Sequence, residues 1–152
     1  MKYKLIIPIV MVLLVVTIVS IQNNENEIEV PIDNVNKRWF TQEQVDKGNI
    51  TFQNNCAICH GSKANKIKDW KKTLADGSYP PPPLNGNAHS WHHPYTQLFR
   101  IVKNGGKSYD GKMPAFRDKL SDEEIQNTIS YFQNMWSDEK YNIWIKNGGL
   151  RK

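Results

Sequence analysis

The segment that most constrains this chain is Cys56-Ala57-Ile58-Cys59-His60, which contains both cysteines of a 152-residue sequence and ends in a histidine. A cysteine pair at this spacing can bind zinc, form a redox-active disulfide or attach a haem. A zinc site needs about four ligands, and the sequence has no second cysteine pair, so His89, His92 and His93 would have to complete it. A thioredoxin-like disulfide needs a βαβ context, which the sequence does not indicate.

The order of the two cysteines and the histidine favours covalent attachment of haem over both alternatives. Cys56 and Cys59 can each form a thioether to one vinyl group of the porphyrin. The adjacent imidazole of His60 then reaches the iron from the same side. Because the motif occurs once, we expect one covalently bound haem c.

An uncharged run, residues 5–21, follows Lys2 and Lys4 near the N-terminus. Such a run directs a chain to the membrane. Its last residues match a signal-peptidase site poorly, which favours an uncleaved anchor over a signal segment for residues 1–21, although the run is at the short end of a bilayer span. The two lysines place the rest of the chain at the outer, periplasmic or extracytoplasmic, face of the cytoplasmic membrane, where haem attachment is expected.

Residues 22–37 are rich in Asn and Glu, and they have too few large apolar side chains to form a core. This composition predicts a flexible linker. The folded domain is expected over residues 38–152, a length that allows one domain with a small core.

Positive charge is concentrated in the domain, where residues 37–152 contain 18 Lys and Arg against 11 Asp and Glu. Five of the lysines follow the haem motif closely: Lys63, Lys66, Lys68, Lys71 and Lys72. They form either a solvated loop or a surface that steers an acidic redox protein toward the cofactor. Without a nucleic-acid-binding motif, no nucleic acid is expected as a partner.

Capping and breaking residues predict four helices in the domain. Two capping boxes are present, Thr41 with Gln44 and Ser121 with Glu124. The helices are expected to begin near Gln42, Pro94, Asp122 and Asp138 and to end near Cys56, Gly105, Trp136 and Asn147. Four consecutive prolines, 80–83, must be extended, and no segment alternates as a strand does. The predicted fold class is all-α.

An electron-transfer haem needs a second axial ligand on a loop that can fold back to the iron. Met113 fits, because the following Pro114 disfavours helical backbone and the nearby Gly111 allows close approach. Met135 is expected inside a helix as core filler. A thioether opposite an imidazole raises the reduction potential and leaves no position for a substrate. The sequence therefore predicts a carrier, not an enzyme, with His60 and Met113 as metal ligands.

Three histidines, His89, His92 and His93, lie around Trp91. We expect them to pack near the haem edge, with a surface copper or zinc site or a competing iron ligand as alternatives. Four tryptophans are expected in the core: Trp70, Trp91, Trp136 and Trp144.

Further motifs accompany the haem motif in a fixed order. They are Gly48 and Phe52 before it, Pro82-Pro83-Leu84-Asn85-Gly86, Met113-Pro114-Ala115-Phe116, and a helix opening at 120–124 that holds Tyr131. With these motifs, residues 42–136 resemble the class I c-type cytochromes. The resemblance implies a cytochrome c-like fold in which the first and last helices cross near Gly48. It also implies that Pro82 and Leu84 belong to the cofactor site, with the Pro82 carbonyl holding the second ring nitrogen of His60.

These observations predict a membrane-tethered monohaem electron carrier between respiratory-chain partners such as a terminal oxidase. Three alternatives stay open. One is a haem domain whose axial site opens for peroxidase activity or gas sensing, and another is a fixed electron-entry domain of a larger oxidase or dehydrogenase complex. The third is a non-haem metal module built from the three histidines and the cysteines.

Overall fold

The computed structural model describes residues 38–109 and 111–151. The predicted membrane segment, 1–21, and the predicted linker, 22–37, lie outside the described residues. Every helix described below lies in the compact unit Phe40–Lys152. Over the described ranges, no helix is both long enough and apolar enough to cross a membrane.

Five α-helices form the described part of this unit. They are α1 (Gln42–Asn55), α2 (Ala57–His60), α3 (Tyr95–Asn104), α4 (Asp122–Asn134) and α5 (Asp138–Lys146). Two short 3-10 turns, Ser90–His92 and Lys107–Tyr109, flank α3. No strand occurs in the part of the chain that the structure describes, which confirms the all-α prediction for that part.

Both predicted capping boxes are present. Thr41 Oγ1 accepts a hydrogen bond from the Gln44 amide at 3.2 Å, and the Thr41 amide donates to Gln44 Oε1 at 2.9 Å. Ser121 and Glu124 form the same reciprocal pair at the start of α4. Each box satisfies amide groups that the first turn of a helix leaves unpaired, so local sequence alone sets where α1 and α4 begin.

The end of α4 differs from the prediction. The helix stops at Asn134, so Met135 is its C-terminal cap and Trp136 lies beyond it. The Trp136 amide donates to the Gln133 carbonyl at 3.0 Å, which tightens the last turn. Trp136 is 2% exposed, and its indole donates to the Leu84 carbonyl at 2.8 Å. A contact distant in sequence therefore determines how the chain leaves this helix.

Helices α1 and α4 cross in close contact at Gly48. A Cβ atom at this position would lie 1.8 Å from the Asn127 carbonyl oxygen, so only glycine permits the observed approach. Phe52, Ile125 and Ile129 are fully buried beside the crossing. The crossing expected near Gly48 is confirmed.

The C-terminal helix packs onto the chain segment before α3. Trp144 is 2% exposed and contacts Trp136 edge to face, with ring centroids 5.8 Å apart. The Tyr95 amide donates to the Gly149 carbonyl at 2.7 Å. Trp136 and Trp144 confirm the expectation of core tryptophans, whereas Trp70 and Trp91 are only half-buried, so the expectation is wrong for those two.

Candidate haem site

The cysteine motif forms one compact turn after α1. Cys56 caps α1, and its carbonyl accepts hydrogen bonds from the amides of Cys59, at 3.1 Å, and His60, at 2.9 Å. Both thiols are free, with Cys56 buried and Cys59 exposed. Burial raises the pKa of Cys56 to about 11, so this thiol is protonated at neutral pH. This one turn therefore carries two thiols and an imidazole within five residues.

His60 is buried, and one of its ring nitrogens already has a partner. Its Nδ1 lies 3.0 Å from the Pro82 carbonyl oxygen. Burial lowers the pKa of His60, and the bond to Pro82 partly offsets this effect. A neutral imidazole that donates from Nδ1 to a carbonyl keeps its lone pair on Nε2, the nitrogen that can bind a metal. The contact implied for Pro82 is present.

Pro82 and Leu84 are both predicted at the cofactor site. Pro82 is the third of the four prolines, and Leu84 follows directly after the last of them. Pro82 contacts His60 directly. Leu84 is held through its backbone, because its amide donates to the Ala64 carbonyl at 2.7 Å and its carbonyl accepts from the Trp136 indole. A contact between the Leu84 side chain and a haem stays a prediction.

Met113 lies on a loop that folds back onto the end of α3. Its carbonyl accepts a hydrogen bond from the Gly106 amide at 2.9 Å. A Cβ atom at Gly105, where φ is +84°, would lie 2.9 Å from that same carbonyl oxygen. The Phe116 amide donates to the Val102 carbonyl at 3.2 Å, which fixes the far end of the loop. This loop gives Met113 a defined backbone position, while its contact with iron stays a prediction.

From the sequence, Gly105-Gly106 is expected only to end a helix. In the structure the Met113 backbone also packs against Gly105 and accepts a hydrogen bond from the Gly106 amide. The available signal was the pair itself, since a single glycine is enough to end a helix. The second glycine indicates that another backbone segment packs there.

The lysine-rich segment, residues 61–79 between His60 and the prolines, contacts both the cysteine turn and the Met113 loop. Lys66 Nζ donates to the Ile58 carbonyl within the cysteine turn at 2.7 Å. Asp76 pairs with Lys112, the residue before Met113. Lys112 and Ser78 lower the pKa of Asp76, so its carboxylate is charged at neutral pH. All five lysines of the segment are exposed.

The histidine segment forms an aromatic cluster. Trp70 stacks on His89 with ring centroids 4.7 Å apart, and His93 meets His89 edge to face at 5.1 Å. The pKa values of His89 and His93 are lowered, mainly because both rings are partly buried. Within the described ranges, no group of three His, Cys, Asp or Glu residues could hold a metal ion. The structure thus gives no support to a non-haem metal module.

The residues present fit a covalently bound haem. The donor set consists of two free thiols and a neutral imidazole with a preset tautomer. Thioether formation consumes both thiols, and the imidazole supplies a nitrogen ligand. His60 is 8% exposed, which matches a ligand held at the edge of a protein core.

Comparisons with known proteins identify the family to which the chain belongs. Residues 43–132 match the family model described as cytochrome C oxidase, cbb3-type, subunit III. Similar proteins include the cbb3-type cytochrome c oxidase subunit FixP of Sinorhizobium medicae, 28% identical over 116 residues, which are 72% of this chain and 35% of FixP. The chain therefore spans about a third of the length of that relative.

Two proteins named cytochrome c6 are also similar. The one from Gracilaria tenuistipitata var. liui is 32% identical over 90 residues, 59% of this chain and 71% of that protein. The one from Bryopsis maxima is 32% identical over 91 residues, 58% of this chain and 89% of that protein. No solved structure matches. Since the family model covers more than half of the sequence and the cysteine turn supplies the donor set, this chain belongs to the class I c-type cytochromes and contains an electron-transfer domain with one covalent haem c.

Proposed function

We propose that this protein carries single electrons, with Cys56 and Cys59 attached to the porphyrin and His60 and Met113 bound to the iron. The observation that supports this most directly is the 3.0 Å contact between His60 Nδ1 and the Pro82 carbonyl. This contact uses one ring nitrogen of His60 and leaves the other free to bind the metal. His60 lies on the same turn as both thiols. The haem supplies the one-electron couple of its iron.

Met113 is the proposed second ligand because its loop has a defined path without being helical. Its carbonyl bond to the Gly106 amide and the close fit of Gly105 restrict that path. A thioether opposite an imidazole favours the ferrous state. With both axial positions filled by side chains, a substrate has no access to the iron, so we infer a carrier and not an enzyme.

We further propose that the domain works at the outer face of the cytoplasmic membrane. Residues 1–21 would tether it, and residues 22–37 would let it move between partners while keeping its local concentration high. The exposed lysines after His60 and the positive charge of the domain favour an acidic redox protein as partner. Ile58 is 78% exposed in the cysteine turn, which offers an apolar contact beside these charges.

A second candidate function is that of a fixed electron-entry domain in a larger oxidase complex. The description of the matching family model and the name of FixP both favour it. Purification of the full chain from its native membrane in mild detergent distinguishes the two proposals. A fixed subunit co-purifies with an oxidase at constant stoichiometry, whereas a mobile carrier separates from it at raised ionic strength.

Replacement of the proposed sulfur ligand tests the carrier assignment. In the holoprotein, Met113→Ala should abolish the long-wavelength absorption band of methionine coordination, lower the reduction potential and allow the ferrous iron to bind carbon monoxide. The matched control is Met135→Ala, which alters a methionine at the end of α4 and should retain the band. Potentiometric titration followed by absorbance measures the band and the potential, and addition of carbon monoxide to the reduced protein, followed by absorbance, measures the third effect.

Two results would contradict the assignment. If the band survives in Met113→Ala, another residue binds the iron. If the wild-type ferrous protein binds carbon monoxide readily at neutral pH, an axial position is open, and the peroxidase or gas-sensor alternative gains support.

A further inference from the structure

The carbonyl that holds His60 lies in a segment that cannot fix itself through its own amides. Proline has no amide hydrogen, and residues 80–83 are all proline. The first backbone donor after Tyr79 is therefore the amide of Leu84. The position of the Pro82 carbonyl must depend on the stiffness of the prolines and on contacts at the ends of the segment.

Both backbone groups of Leu84, the amide and the carbonyl, form hydrogen bonds. Its amide donates to the Ala64 carbonyl at 2.7 Å, and its carbonyl accepts from Trp136 Nε1 at 2.8 Å. Ala64 is fully buried and Trp136 is 2% exposed, so neither contact competes with bulk water. A third and longer contact comes from Ser90 Oγ, at 3.4 Å from the Leu84 carbonyl.

The turn after Leu84 also lies against the same indole. A Cβ atom at Gly86, where φ is +89°, would lie 3.2 Å from Trp136 Cδ1. Trp136 therefore determines both a hydrogen bond and the packing at the end of the proline segment. Only the buried Pro83 separates Leu84 from Pro82.

We propose that Trp136 is a positioning residue for the proximal histidine. Its indole holds the Leu84 carbonyl, the stiff Pro82–Leu84 segment transmits this position to the Pro82 carbonyl, and that carbonyl sets the orientation and basicity of the His60 ring. The inference rests on the proposed role of His60 as iron ligand. It links Trp136, a residue after α4, to the iron through the Leu84 carbonyl, the Pro82 carbonyl and the His60 ring.

Trp136→Phe in the holoprotein tests the proposal, because it removes the N–H donor and keeps an aromatic ring. Trp144→Phe is a closely matched control. Trp144 is equally buried, at 2% exposed, and its indole donates to the His93 carbonyl at the same 2.8 Å. Both variants lose one buried indole–carbonyl bond, but only one of them loses the contact at Leu84.

Two measurements separate positioning from stability. The first is the reduction potential, which should rise in Trp136→Phe, because a weaker bond from Nδ1 makes the imidazole a poorer donor to ferric iron. The second is exchange of the His60 Nδ1 proton in the ferrous protein by NMR, which should accelerate roughly fivefold for the loss of one supporting hydrogen bond. Trp144→Phe should change neither quantity, although its unfolding midpoint falls.

If Trp136→Phe does not accumulate, Gly86→Ala replaces it. The added Cβ would lie 3.2 Å from Trp136 Cδ1, and with φ at +89° it strains the turn after Leu84 while the indole is retained. Unchanged potential and exchange in Trp136→Phe, or in Gly86→Ala where that variant replaces it, would overturn the inference. Equal shifts in Trp144→Phe would overturn it as well. The spectrum of the wild type tests the underlying function separately. Upfield-shifted His60 ring protons show that this imidazole is bound to iron, and their absence would overturn the ligand assignment together with the inference.

Discussion

Replacement of Gly48 by alanine tests whether the α1–α4 crossing determines the stability of the domain. The new Cβ would lie 1.8 Å from the Asn127 carbonyl oxygen and 2.4 Å from its carbonyl carbon, whereas real Cβ atoms essentially never approach closer than 3.0 Å. The two helix backbones would have to separate by about 1.2 Å at this point. A flexible side chain could move aside, but a helical carbonyl cannot.

The expected effect follows from two opposing contributions. Helix propensity alone predicts that alanine stabilises α1 by about 0.5–1 kcal/mol relative to glycine. Overpacking costs about 1–3 kcal/mol where side chains can adjust, and a gap of even 0.5–1 Å between packed surfaces forfeits about a quarter to a half of each contact energy. Because the fully buried Phe52, Ile125 and Ile129 pack beside the crossing, we expect a net loss of about 3 kcal/mol.

Guanidinium denaturation of the holoprotein measures this loss, with haem absorbance and tryptophan fluorescence as independent probes. The control is Gly77→Ala, because a Cβ at Gly77 would have no atom within 4 Å, although φ there is +81°. The control should lose about 1 kcal/mol from backbone strain alone. A Gly48→Ala protein as stable as the wild type would refute the close crossing.

Two further predictions concern single side chains. Burial raises the pKa of Tyr95 to about 12, above the value of about 10 in an unfolded chain. The free energy of unfolding of the wild type therefore falls as pH rises from 10 to 12. Tyr95→Phe lacks this titrating group, so its free energy of unfolding, measured by urea titration, should fall by about 1 kcal/mol less over the same pH range. Ser121→Ala removes the cap of α4 and should cost about 1 kcal/mol in the same assay, with the exposed Ser62→Ala as a control near zero.

Local sequence was sufficient for the helix starts. The bonds of each capping box join residues three positions apart, so Thr41 with Gln44 and Ser121 with Glu124 predict their helices without knowledge of the rest of the fold. The end of α4 was not predictable in this way. Its exit depends on Trp136, whose partner Leu84 lies 52 positions earlier in the chain.

The same distinction applies to the site. Cys56, Cys59 and His60 lie within five consecutive residues, so the sequence alone shows the two thiols and the imidazole close together. The Pro82 contact came from family resemblance, because no local rule relates residues 22 positions apart. The packing of Gly105 against the Met113 backbone had no equivalent guide, since it depends on how a loop returns to the end of α3.

The lysine-rich segment shows how backbone contacts determine where charges are presented. Exposed ion pairs contribute only about 0–1 kcal/mol, so the pair between Asp76 and Lys112 cannot by itself hold the segment in place. Backbone bonds do so at two points, from the Lys66 amide to the His60 carbonyl at 2.9 Å and from the Leu84 amide to the Ala64 carbonyl at 2.7 Å. Because salt screens exposed charges over about 8–10 Å but leaves such bonds intact, a dependence of partner binding on ionic strength would report the lysine charges rather than melting of the segment that carries them.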